Sequence, residues 1–207
     1  MCNYCDNVIH LSGPRKPIAK LWHIIINNYL LHKHSVRDLL KTHGYGHSES
    51  YVLCDNRDEI KNVDIKLHKE GKDFSFTINT KTAGAPNMEP FFMLIREKYN
   101  NEIKLLYMSE ESGMSIFQTN DVWGKTFPNR YIMDYNINGE SVIKRFETKK
   151  ELLEYIWNTF HVFATQDDAL KKIAGIIEGR YPSDTEDRWC LIHEYQFVDD
   201  GFYKKAS

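Results

Sequence analysis

The chain lacks every short motif that would by itself secure a reaction. It has no Walker pattern, no Gly-x-Gly-x-x-Gly, no Gly-x-Ser-x-Gly and no His-Glu-x-x-His. These absences remove the glycine-lined phosphate cradle, the strained nucleophile turn and the helical zinc pair. A basic surplus is also missing: 27 Lys and Arg face 29 Asp and Glu, for a net charge of −2. Dedicated nucleic-acid binders draw affinity from counterion release, which such a balance does not favour overall. No apolar run approaches the roughly 20 residues that span a bilayer; the one at Ile24–Ile26 is broken by Asn27 and Asn28. Met1 leads straight into a polar stretch, so no signal peptide is expected. The expected setting is a cell cytosol without a membrane partner, where Cys2, Cys5, Cys54 and Cys190 are free thiols.

What is present is ordinary globular material rich in Tyr and Phe. Aromatic residues make up 13%, enough to fill a core and also to anchor an interface. At 207 residues the chain suffices for one large core, or a core with an appended segment, without covalent staples. Charge is uneven along it. Arg15, Lys16, Lys20, Lys33, Arg37 and Lys41 fall in one stretch with a single Asp, and Asp184–Asp200 holds six acids against one Arg. These read as two solvated faces, or as a basic patch and an acidic one offered to partners.

Periodicity supplies the elements. Val8–Leu11 reads as a strand closed by Ser12, Gly13 and Pro14; Ile18, Leu21, Trp22, Ile25 and Tyr29 form a helical stripe after Pro17. Ser35 before Asp38 suggests a capped short helix to Lys41, and 43–50 a loop. Ile65 and Leu67, then Phe74, Phe76 and Ile78 across a turn at Gly71, predict a hairpin with one dry face. The helices carrying Trp22 and Phe92 should roof that face. A helix through Met88, Phe91, Phe92, Ile95 and Tyr99 follows, then strands at Ile103–Met108 and Met114–Phe117 around a turn at Glu110–Gly113. The order is that of a split βαβ sheet. After residue 122 the pattern restarts: a hairpin about Asn138-Gly139, a helix capped by Thr148 with Trp157 and Phe160 in its core stripe, and a helix after Thr165 and Asp168 ending by Gly179 and Pro182. A last strand follows in which Trp189, Leu191, His193, Tyr195 and Phe197 alternate. The expected organisation is a core at 1–122 and an α+β segment at 123–207 packed on it.

Two stretches carry a resemblance. Asn3-Tyr4-Cys5-Asp6-Asn7 with Val8-Ile9-His10-Leu11-Ser12-Gly13 resembles the Asn-Trp-Cys-x-Asn opening of the YubB ferredoxin-like family. Phe76 to Pro86, the helix of Phe91, and Tyr107 through Gly113 to Phe117 are similar to its strand, Pro loop, helix and Tyr-x-Glu-x-Gly hairpin. The resemblance covers about residues 1–120 and implies an α+β ferredoxin-like βαββαβ antiparallel sheet on a phage, plasmid or other mobile element. It implies no established activity. Gly44-Tyr45-Gly46-His47 stands where the family has Trp-Gly-x-x-Trp, and Lys81-Thr82-Ala83 replaces its Trp before the Pro loop, so the fold transfers further than any ligand.

Three functional readings follow. The first is a non-enzymatic binding protein that inhibits or modulates a host protein, for example in counter-defence. Its candidate contacts are His43, Tyr45, His47, Glu110, Glu111, Asp184, Glu186, Asp187, Asp199 and Asp200. The second is a nucleic-acid-associated protein using the basic stretch from Arg15 to Lys41. The third is a small metal-dependent hydrolase centred on His43 and His47 with Glu49 and Asp55, since imidazole titrates near neutrality. No cofactor and no catalytic residue is assigned. His32, His34, His43 and His47 crowd together, but Gly44 and Gly46 argue against a helical zinc pair. Cys2-x-x-Cys5 has no second pair to complete a zinc site and precedes a strand, not a helix. Phe74 and Phe76 sit on the apolar side of their strand, opposite Ser75 and Thr77, so they read as core instead of a base-stacking platform.

Overall fold

A computed structural model describes residues 3–46, 53–137, 139, 141–181 and 189–199. The chain divides into two compact units: one runs to Val122 and resumes at Phe197, and the other is Trp123–Gln196. The fold is α+β, with five helices among the described residues.

The first unit is a sheet under helices. Its strands are β1 (Tyr4–Gly13), β2 (Glu59–Val63), β3 (His68–Glu70), β4 (Asp73–Ala83), β5 (Lys104–Glu111) and β6 (Ile116–Thr119); its helices are α1 (Arg15–Leu30), α2 (Val36–Thr42) and α3 (Glu89–Tyr99). β1 is central, antiparallel to β4 on one side and β5 on the other; β2 and β3 both pair with β4, and β6 with β5. At the far edge a two-residue strand, β10 (Gln196–Phe197), joins β6, and the Val198 N–H donates to the Thr119 carbonyl at 3.0 Å. β1 is thus much longer than Val8–Leu11. Its alternate residues Cys5, Asn7, Ile9 and Leu11 point to the helices. Gly13 ends it where a Cβ would lie 2.6 Å from the Glu102 carbonyl oxygen, which demands glycine. α1 begins at Arg15, with Pro17 inside its first turn, where a missing N–H costs nothing.

The expected hairpin is corrected in one strand. Phe76 and Ile78 are fully buried beneath the helices that carry Trp22 and Phe92, and Leu67 and Phe74 pack at the margin of that core. Ile65 is 84% exposed and lies outside any strand. The buried residues on the neighbouring strand are instead Ile60 and Val63. They stand three apart, yet both face the core because the ladder shifts between Ile60 and Asn62. Such a bulge breaks period-two alternation, and with it the sequence signal. Each fully buried Ile, Leu or Phe contributes about 1.5–3 kcal/mol.

The second unit sets α4 (Lys149–Phe160) and α5 (Leu170–Arg180) on an antiparallel sheet in the order β8 (Ser141–Phe146), β7 (Tyr131–Asn136), β9 (Trp189–Glu194). Thr148 caps α4 by accepting the Glu151 N–H at 3.2 Å. The turn between β7 and β8 is held by Asn136 Oδ1, which accepts the Gly139 N–H at 2.9 Å; Gly139 has φ +83°. Within β9 the buried set is the opposite of the expected alternation, although Tyr195 of that alternation is buried just past the strand's end. Cys190 and Ile192 oppose Tyr135 and Met133 and face the helices, whereas Leu191 is 37% exposed. Register against β7, not local hydrophobicity, decides this.

Candidate functional site

His43 caps the C-terminus of α2. Its Nδ1 lies 2.9 Å from the Leu39 carbonyl, and its Nε2 lies 3.0 Å from the Tyr99 hydroxyl. A carbonyl only accepts, so Nδ1 carries the hydrogen and Nε2 accepts from Tyr99. Burial lowers the imidazole pKa below its ordinary value, and Lys20 and Lys98 add to the lowering. Burial also pushes the Tyr99 phenol up to about 12. The ring therefore ties α2 to α3 with both nitrogens engaged. Tyr45 beside it donates to Glu97 at 3.0 Å and lies under the Lys98 ammonium. His47 and Glu49 lie outside the described residues. Asp55 pairs with Arg57, whose guanidinium holds its carboxyl well below the usual carboxylate range.

The acidic candidates separate. Glu110 and Glu111 belong to β5 instead of the expected turn. Glu111 is buried and folds back to accept the Gly113 N–H at 3.1 Å and the Met114 N–H, so it shapes the turn from inside. Asp199 is exposed at the end of the described chain; Asp184, Glu186, Asp187 and Asp200 lie outside the described residues. The basic stretch loses a member: Arg37 is buried and donates to the Cys54 carbonyl at 2.7 Å. Arg15 covers the Phe74 ring, Lys20 covers Tyr99 and Lys41 pairs with Asp38, while Lys16 and Lys33 are exposed.

A polar layer hidden from the sequence runs across the helix side of the sheet. Thr80, Asn7 and Ser109 form one row over three strands, with Thr82 and Cys5 in the next. Asn7 donates to the Cys5 carbonyl and to Thr82 Oγ1, while Thr80 Oγ1 and Ser109 Oγ are buried with no hydrogen-bond partner among the described residues. Burial, reinforced by Asp6 and Glu111, pushes the Cys5 thiol up to about 12; Cys54 and Cys190 are raised to about 12 as well, first by burial. None is poised as a thiolate. Cys2 lies outside the described residues.

Two of the clefts that open to solvent are lined by described residues alone. One, of about 410 Å³, is polar and lies between His32, His34, Asp38, Glu59 and Lys61. The His32 and His34 rings stack at 5.9 Å, and Lys61 pairs with Glu59. Among the described residues no group of three His, Cys, Asp or Glu converges as a metal site.

The other cleft, of about 480 Å³, lies within the second unit between α4 and the segment after it. Leu153, Trp157, Val162 and Phe163 form its apolar wall, with Lys150 and Glu154 at the rim. Trp157 is 52% exposed and Phe163 78%. The expectation that Trp157 belongs to the core is corrected: Leu152, Ile156 and Phe160, at i, i+4 and i+8, take the inward face, and Trp157 lies one residue round the helix from Ile156. No helix among the described residues is long and apolar enough to cross a membrane. Comparison with family models, curated proteins and solved structures finds no match to this chain.

Proposed function

We propose that this chain is a non-enzymatic binding protein that acts by occupying another protein through the Trp157–Phe163 cleft. The observation that carries the reading is the pair of large aromatic side chains exposed on one apolar depression. Aromatic side chains left in water around a concave apolar surface are what interface anchors look like before a partner arrives. The acid–base alternative has less to work with, because His43 spends both ring nitrogens on holding α2 to α3. The nucleic-acid alternative keeps Arg15, Lys16, Lys20, Lys33 and Lys41 but not the buried Arg37. A ferredoxin-like core for the first unit is part of this proposal. It is supported by the order β5-β1-β4-β2, with α1 and α2 between β1 and β2 and α3 between β4 and β5, onto which β3, β6 and β10 add. A phage or mobile-element origin, with a host protein as target, rests on the family resemblance of residues 1–120.

The test is affinity enrichment from host lysate with the wild-type chain, Trp157→Ala and Phe163→Ala as parallel baits, quantified by mass spectrometry. The expected result is a host protein whose recovery falls at least tenfold with both variants, while their thermal unfolding stays that of wild type. Equal recovery by all three baits overturns the assignment of the cleft.

A further inference from the structure

The sheet of the second unit has an outer face, turned away from α4 and α5. Met133 and Tyr135 point to the helices, so Ile132, Asp134 and Asn136, which alternate with them, point outward. Ladder partners share a face, and the register therefore builds outward rows across β8, β7 and β9. One such row is Ile143, Asp134 and Leu191, with Ile143 47% and Leu191 37% exposed. Trp189, half-buried, stands in the adjoining row and donates from Nε1 to Asp134 Oδ1 at 3.3 Å.

Asp134 breaks the local rules. Aspartate is disfavoured within strands, yet this one occupies the central strand between two apolar neighbours and keeps 9% of its surface in water. One long hydrogen bond from an indole replaces little of a carboxylate's hydration. Orienting Trp189 needs only a neutral acceptor, so that bond makes no use of the charge. Among the described residues no cation pairs with Asp134. Arg145 and His193 flank Ile132 in the row on its other side. Burial holds His193 below its ordinary pKa, against the opposing pull of Asp134, so the ring is neutral near neutral pH. Asp134 Oδ2 accepts no hydrogen bond from a described residue, yet it is not among the sealed, unpartnered atoms, so it touches solvent.

From this we infer that the outer face takes one basic side chain, lysine or arginine, of a partner polypeptide. The cation sits on Asp134 Oδ2, its aliphatic stem lies along Ile143 and Leu191, and the Trp189 ring stands beside it. Charge complementarity selects this occupant. A neutral apolar side chain would cover Ile143 and Leu191 but leave the carboxylate desolvated and unpaired. A bare inorganic cation would meet the carboxylate but leave both apolar flanks in water. Lysine and arginine join a cation to an apolar stem, which matches both parts of the row, and either cation is attracted to an indole face. The site lies on the side of the sheet opposite α4 and is separate from the Trp157–Phe163 cleft.

The test titrates the full chain with n-butylguanidinium, which carries the stem and head of arginine, and with n-butylurea, its neutral isostere. The readout is the NMR resonance of the Trp189 indole N–H, assigned with Trp189→Phe. The expected result is a saturable shift with butylguanidinium at millimolar concentration and none with butylurea. Asp134→Asn keeps an acceptor for Trp189 and removes the charge. It should leave thermal unfolding and the starting resonance near those of wild type, yet weaken butylguanidinium at least about fivefold. Leu191→Ala, at an exposed position, should weaken it too. Equal shifts with the two probes mean apolar contact alone and overturn the inference. So does the lack of a saturable shift with either probe. Asp134→Asn titrating like wild type also overturns it, because Asp134 then serves only to orient Trp189. If Asp134→Asn fails to fold, Leu191→Ala decides, and an affinity equal to wild type overturns the inference. The outcome is read away from the Trp157–Phe163 cleft, so it stands or falls apart from the binding reading above.

Discussion

Asp58 is 2% exposed and serves three donors. Its Oδ1 accepts the Ala83 N–H at 3.2 Å; its Oδ2 accepts the Asp55 N–H at 3.0 Å and the Asn87 amide at 3.1 Å. One side chain thus joins the loop before β2, the end of β4 and the approach to α3. Asp58→Ala strands all three donors. At about 1–3 kcal/mol for each buried unsatisfied group, partly relieved by rearrangement, the expected loss is about 4 kcal/mol. Asp58→Asn is the sharper variant. With its oxygen in the Oδ2 place it keeps two donors but sets an amide NH₂ against the Ala83 N–H, so it should cost about 2 kcal/mol. Urea unfolding, followed by Trp22 fluorescence in a common Trp123→Phe, Trp157→Phe, Trp189→Phe background, reports the first unit. A loss below about 1 kcal/mol for Asp58→Ala, or an Asp58→Asn midpoint equal to the reference, would refute the reasoning.

Removing the buried hydroxyls of Thr80 and Ser109 should cost nothing or stabilise, because neither has a partner among the described residues to lose. Thr80→Val and Ser109→Ala are expected within about 1 kcal/mol of wild type or above it, and a urea midpoint clearly lower in either shows a partner that the reasoning has missed. In a Cys2→Ser variant at pH 8, the thiol reagent DTNB should find no reactive cysteine in the folded chain and three once urea is added, since burial holds Cys5, Cys54 and Cys190 near 12; fast reaction without urea contradicts that. His43 has a folded pKa below its unfolded one, so the unfolded state binds the proton first. Its contribution is complete above about pH 6.5 and drains as pH falls through the folded value. Stability should therefore drop more between pH 8 and pH 5 in wild type than in His43→Gln, and parallel profiles from chemical unfolding would contradict the burial of a neutral ring.

Much of the chain's organisation was written in local pattern. The stripes of α1, α3 and α4, the Ser35 and Thr148 caps and the turn at Gly139 need only neighbours in sequence to be recognised, because helix period, cap chemistry and positive φ are local properties. The buried face of Phe76 and Ile78 was legible for the same reason, and so was the case against base stacking there.

What lay beyond the sequence depended on register and on contacts between distant residues. A one-residue bulge put Ile60 and Val63 in the core and left Ile65 in water. The pairing of β9 with β7 turned Cys190 and Ile192 inward against their local pattern. His43 read as a candidate contact or acid–base group until Tyr99, 56 residues away, closed on it. Trp157 looked like core because its helix has more apolar residues than one face can bury, and only packing chooses which are left out. Local spacing determines which elements form and which faces they offer. Which side chain is covered, and which cleft stays open, is set by the long-range ladder and by what packs against it.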